Sequence, residues 1–218
     1  MASLLSALSD NEKAELLHDI YYLNMRELRE FCDANEIPYW IHFEADDGRA
    51  IKSRDADRKG IVIDRVLHFL NTSIVKPRTL FPKSVVSMKP NARAPTETDR
   101  ILYGQYKNRD SRTLELLKNL TDGKFEVGAI AQEVIRDSWT RKHAPTYREF
   151  AQLWMRASID HNTPNPEWAY LSDLAKGTAD SNWKKLREKK AGAVILLLRK
   201  ITAQSKRIDS SIQASEKR

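Results

Sequence analysis

The sequence predicts a mainly α-helical protein carrying one small β-hairpin. Three observations lead there. Capping-box spacings occur at Ser9 and Glu12, Asn24 and Glu27, and Thr146 and Glu149, where a cap side chain and a carboxylate three residues on satisfy exposed backbone N–H groups reciprocally. Apolar residues recur at three- and four-residue intervals over long stretches. Pro38, Gly123 and Pro145 fall at the ends of such stretches.

Taken in order, Ser9 opens a first helix with Leu16, Leu17, Ile20 and Tyr21 on one face, and Asn24 opens a second with Met25, Leu28, Phe31 and Cys32. Pro38 bars continuation, because the residue before a proline avoids helical geometry. Trp40, Ile41 and Phe43, then Asp46-Asp47-Gly48, then Ile51, read as a hairpin. Asp55 or Asp57 caps a third helix with Ile61, Val62, Val66, Leu67, Phe69 and Leu70. Four of the eight prolines then lie between Pro77 and Pro95 among Lys76, Arg78, Lys83, Lys89 and Arg93, a linker signature; Leu80, Phe81, Val85, Val86 and Met88 lay part of it along a surface. Thr98 or Ser111 starts the next helix, which carries Leu114, Leu117 and Leu120 and stops at Gly123. A face of Val127, Ile130, Ala131, Val134, Ile135 and Trp139 follows, then the helix opened by Thr146 with Phe150, Leu153, Trp154 and Ala157. Asn165-Pro166 caps a short helix over 167–175, and a last helix begins near Ser181 with Trp183, Leu186, Val194, Leu197, Leu198 and Ile201.

These elements divide into an N-terminal module over 1–75, a basic proline-rich linker over 76–112, and a helical domain with a basic tail over 113–218. At 218 residues the chain is long enough for one domain or two modest ones. The single cysteine, Cys32, precludes an internal disulfide, and no basic-then-apolar leader is present at the N-terminus, which argues against export and for a reducing, cytoplasmic setting. The longest apolar run, Ala191 to Leu198, is far below the ~20 residues that cross a bilayer, so no membrane partner is expected.

Net charge is +7, and its distribution is uneven. Residues 1–75 are net acidic at −5, 76–112 carry +6, 113–175 carry −2 and 176–218 carry +8. Such a balance suits a polyanion, DNA or RNA, or serves as a solvated surface.

Leu23, Met25, Glu27, Leu28, Cys32 and Ile37, followed by Arg58, Lys59, Val62, Ile63, Arg65 and Val66, resemble the two halves of the SAP domain, a helix, extended loop, helix module associated with DNA binding. The resemblance covers about 48 of the 218 residues, from Leu23 to Leu70. Two departures stand out: the family has glycine where this chain has Glu36 and Asp57, and 19 residues separate Ile37 from Asp57 where the family has a few. The resemblance implies DNA contact by Arg58 and Lys59, with Arg65 a further position of the pattern. One to two turns inside its helix, Arg65 is better placed to brace the fold than to touch DNA.

Independently of that resemblance, Lys52, Arg54, Arg58 and Lys59 cluster around a helix start, whose free N–H groups and partial positive charge favour an anion. The cluster either meets phosphate or is neutralised as surface ion pairs by Asp46, Asp47, Asp55 and Asp57. In the tail, Lys184 and Lys185, with Arg187, Lys189, Lys190, Arg199, Lys200, Lys206 and Arg207, could track a phosphate backbone, lie on an anionic membrane surface or be solvated. Trp139, Trp154, Trp168 and Trp183 either stack on bases or pack in a core; their helical spacing beside Leu and Ile favours the core.

No catalytic, cofactor or metal site is predicted. The five histidines are scattered and one cysteine completes no zinc spacing. No glycine-rich phosphate loop exists among seven glycines. Asp55, Asp57 and Asp64 are better explained by capping and surface pairing than by a divalent ion, and Cys32 by burial than by nucleophilic chemistry. The expected function is therefore non-enzymatic binding of nucleic acid, double-stranded DNA first and RNA second, through Lys52, Arg54, Arg58, Lys59, Lys184 and Lys185. The alternative is an adaptor whose C-terminal helices dock on another protein of a DNA-processing or defence assembly. An enzyme would rest only on the unassigned second half.

Overall fold

The structure, a computed structural model, describes residues 3–89, 93–107, 110–160 and 181–216; for 160, 181–184 and 204–216 it describes backbone alone. In chain order the elements are α1 (Asp10–Asp19), α2 (Met25–Ala34), β1 (Trp40–Glu44), β2 (Ala50–Ala56), α3 (Lys59–Thr72), β3 (Leu80–Phe81), α4 (Ser111–Asn119), α5 (Ala129–Thr140), α6 (Tyr147–Asp160) and α7 (Ser181–Glu216). Single 3-10 turns lie at Leu4–Ala7, Ile20–Tyr22 and Lys83–Val85. The described residues are thus mainly helical with one small sheet. They form two compact units: Met1–Tyr39 with Asp57–Pro77 and Asn165–Arg218, and Trp40–Ala56 with Arg78–Pro164.

In the first unit the capping boxes form as the sequence predicts: Ser9 and Asn24 each accept from the N–H of the glutamate three residues on, and Glu12 and Glu27 accept from the cap N–H in return. Helix α2 ends in a left-handed residue, Glu36 at φ 56°, and the Ile37 N–H returns to the Cys32 carbonyl at 2.9 Å. That closure satisfies an orphan carbonyl and turns Ile37 into the core. Helix α3 begins one residue later than an Asp57 cap would place it and three later than an Asp55 cap: Arg58 holds the cap position without a side-chain cap bond, because Asp57 turns inward. The core joins Leu16, Ile20, Leu23, Leu28, Cys32, Val62, Ile63, Val66 and Leu70 with Ala191, Val194, Leu197, Leu198 and Ile201.

Those last five residues correct the expected division. Helix α7 belongs with the N-terminal segment, not with a C-terminal bundle over 113–218. The physical reason is its apolar stripe: α1 and α2 are ten-residue helices, too short to enclose a core with α3 alone, and α7 supplies the missing wall. Cys32 lies fully inside that core, where burial, with the Asp33 charge adding to it, pushes the thiol up to about 12.

The second unit forms around the predicted hairpin. The Ala45 N–H bonds the Arg49 carbonyl at 2.9 Å and Gly48 takes φ 79°, a conformation that costs glycine nothing. Strands β1 and β2 pair antiparallel, with an irregularity between Trp40 and His42, and the sheet order is β2-β1-β3. Strand β3 comes from the segment expected to be a linker. It pairs parallel to β1, and Phe81, Val85 and Ile101 are buried, so 76–112 contributes to the second core and is not merely a linker. Helix α4 starts at Ser111 under an Asp110 cap, and α6 under the Thr146 and Glu149 box. Phe81, Tyr103, Trp139, Tyr106, Phe150 and Phe125 stack edge-on in succession, with Trp154 tilted against Phe125, and the Trp139 indole donates to the Ile101 carbonyl at 2.9 Å. Trp139 and Trp154 are therefore core residues. The helix expected over 167–175, with Trp168, and the side chain of Trp183 lie outside the described residues.

Candidate nucleic-acid interface

In the first unit the cations named from the sequence are largely held by the fold. Lys59 opens α3, and its ammonium donates to the Tyr21 carbonyl in the 3-10 turn before α2. Arg58 is half-buried. Their neighbour Asp57 pairs with Arg65 at 2.5 Å, and Arg65 also donates to the Pro38 carbonyl at 2.9 Å. The Asp57 N–H in turn donates to the Tyr39 carbonyl at 2.8 Å, so the residues bounding the 40–56 insertion are tied to each other. Arg65 braces the fold, as its position inside the helix predicts.

The basic tail finds its counter-charge in the acidic N-terminal third. Arg187 of α7 pairs with Glu27 and donates to the Tyr22 carbonyl at 3.0 Å. Lys190 reaches Asp19 at 2.6 Å with its ammonium 4.7 Å from the Tyr22 ring centre, and Lys200 reaches Glu12 at 2.7 Å. The hydrogen bond from Lys200, joined by those from Ser9, lowers the Glu12 carboxyl to about 2. Burial works against ionisation of Asp19, but hydrogen bonds from Lys190 and His18 outweigh it and the net direction is downward. Lys185 is exposed on α7; the Lys184 side chain lies outside the described residues.

In the second unit, Lys52 and Arg54 stand exposed on β2. The carboxylates near them in sequence are committed to other cations. Asp47 pairs with Arg49 at 2.7 Å, Asp46 with Lys83 at 3.0 Å, and Asp55 with Arg136 at 3.1 Å while accepting from the Tyr103 hydroxyl at 2.9 Å. Among the described residues neither Lys52 nor Arg54 forms an ion pair.

The register explains what surrounds Lys52. Ile41 and Phe43 of β1 and Phe81 of β3 point into the core, which leaves the alternate residues on the outer face. His42 is registered with Lys52 on one side and with Leu80 on the other. The Lys52 ammonium lies 4.5 Å from the Trp40 ring centre, a cation–π contact. Arg78, exposed two residues before Leu80, adds a third cation at the β3 edge. Sequence reasoning missed Trp40, His42, Leu80 and Arg78 as a group, because only the parallel β1–β3 pairing joins residues this far apart. The alternation of Trp40 and His42 with Ile41 and Phe43 was the one local signal.

Asp55, Asp57 and Asp64, the carboxylates weighed for a divalent ion, are each paired with a different cation, Arg136, Arg65 and Lys76. No helix among the described residues is long and apolar enough to cross a membrane. Comparison with protein-family models, curated proteins and solved structures found no match.

Proposed function

We propose that the chain binds nucleic acid without catalysing a reaction on it, using Lys52 and Arg54 of the three-stranded sheet, with Arg78 beside them, to contact phosphates. One observation carries this reading: Asp46, Asp47 and Asp55 are occupied by Lys83, Arg49 and Arg136 respectively, so the local field at Lys52 and Arg54 stays positive. The net charge of +7 supports it, and the SAP resemblance, whose implied contacts are Arg58 and Lys59 rather than Lys52 and Arg54, favours DNA as the polymer. Phosphate contacts position a protein without reading sequence, so selectivity among sequences is weak. A titration of the full chain with labelled polynucleotide at low and moderate salt tests the proposal: affinity falls steeply as salt rises, and absence of binding at low salt refutes it.

A second reading has its own observation. Between α2 and α7 lies a groove of about 410 Å³ whose lining includes Phe31, Ala34, Ile195, Leu198 and Thr202. An apolar groove between helices suits a docked protein, the adaptor role. Partners retained from nuclease-treated lysate, and lost on Ala34→Arg, would favour it.

A further inference from the structure

We infer that the outer face of the sheet binds single-stranded nucleic acid, with a base stacked on Trp40; this rests on the phosphate-binding reading above and specifies its polymer. Charge alone does not account for what the face displays. Lys52, His42 and Leu80 form a row across the three strands, and Trp40 stands beside them under the Lys52 ammonium. Leu80 is 45% exposed, although it sits next to Phe81, which is fully buried. An indole, an imidazole and an isobutyl group share one pleated face with cations at both edges, Lys52 and Arg54 on β2 and Arg78 before β3.

Against a duplex that surface would be idle. Paired bases already stack on one another, and a duplex offers a sheet face only phosphates. A single strand offers both parts: unstacked bases with π-faces for Trp40, and phosphates within reach of the flanking cations. A base that stacks on the indole takes the place of the Lys52 ammonium over the ring, which is then released to pair with that nucleotide's phosphate. Stacking tolerates any base, so the face discriminates strandedness and not sequence.

The test uses the full chain and end-labelled oligonucleotides of about a dozen residues: oligo(dT), oligo(U) and a mixed-sequence duplex of equal length, with binding read by fluorescence anisotropy. The single strands bind more tightly than the duplex; binding of either supports the inference, and the tighter one identifies the preferred polymer. Trp40→Leu weakens single-strand binding about ten-fold while leaving its salt slope unchanged, and Trp40→Phe, which keeps a stackable ring, restores most of the affinity. Ultraviolet cross-linking of unmodified protein to oligo(dT) or oligo(U), read by mass spectrometry, gives the same answer without a variant: the adduct falls on Trp40. Duplex binding equal to single-strand binding, an unchanged affinity in folded Trp40→Leu, or adducts confined to residues outside the sheet would overturn the inference. In each of those cases a loss of affinity in Lys52→Ala with Arg54→Ala leaves the phosphate-binding reading standing, whereas failure of every oligonucleotide at low salt removes both.

Discussion

Arg65 and Asp57 form an ion pair sealed inside the first unit, 2.5 Å apart with side chains 5% and 1% exposed. The pair settles where the local charge goes. Asp57, the aspartate nearest Arg58 and Lys59 in sequence, faces inward, and Arg65 links it to the Pro38 carbonyl. Desolvation offsets much of the attraction in such a pair, but removing one partner leaves a bare charge. Arg65→Met is therefore expected to destabilise the unit by about 3–5 kcal/mol in urea denaturation. The double variant with Asp57→Leu recovers much of that. A loss below about 1 kcal/mol in the single variant would show that the pair is not needed.

Glu36 occupies a left-handed conformation, φ 56°, at the end of α2. A side chain there costs energy that glycine avoids, and the SAP pattern has glycine at this position. Glu36→Gly should raise stability by about 1 kcal/mol, measured as a shift of the denaturation midpoint. A decrease would mean that the Glu36 side chain contributes more than its backbone strain.

Removing residues 165–218 takes Ala191, Val194, Leu197, Leu198 and Ile201 out of the first core. At about 1.5–3 kcal/mol for each large apolar side chain, the loss is comparable to the whole stability of a domain. A chain ending at residue 164 should show no hydrogen-exchange protection in α1, α2 and α3. Native-like protection there would restore 1–75 as a self-sufficient module.

Acid should loosen the link between α7 and α1. The Lys200 hydrogen bond, with those from Ser9, holds Glu12 at about 2, against an ordinary 4.5. The folded state thus binds fewer protons than the unfolded one, so the contribution is fully present above pH 4.5 and disappears as pH falls toward 2. Glu12→Gln should lower the melting temperature at pH 6, and its difference from the unsubstituted chain should shrink as pH approaches 2. A difference independent of pH would assign the effect to something other than this ion pair.

What was legible in the sequence was local. Three capping boxes, the hairpin with its Gly48 turn, and the burial of Cys32, Trp139 and Trp154 all depend on residues a few positions apart or on one helix face. What was not legible depends on distant partners. Strand β3 is two residues long and gains its meaning only from parallel pairing with β1, and α7 reads from its own pattern as part of any helical core. The site divides the same way. Lys52 and Arg54 were recognisable as exposed cations, but whether nearby aspartates neutralise them turned on Arg136, 81 residues from Asp55. Likewise the tail's charge looked available for a polyanion until Arg187, Lys190 and Lys200 proved to face Glu27, Asp19 and Glu12.

The most direct measurement is the dependence of polynucleotide affinity on salt, compared between the full chain and Lys52→Ala with Arg54→Ala. Each lost phosphate contact reduces the slope of log affinity against log salt by about 0.7–0.9, so the double variant should bind more weakly with a slope shallower by about 1.4–1.8. An identical slope in a folded double variant would place any polyanion contact elsewhere on the molecule.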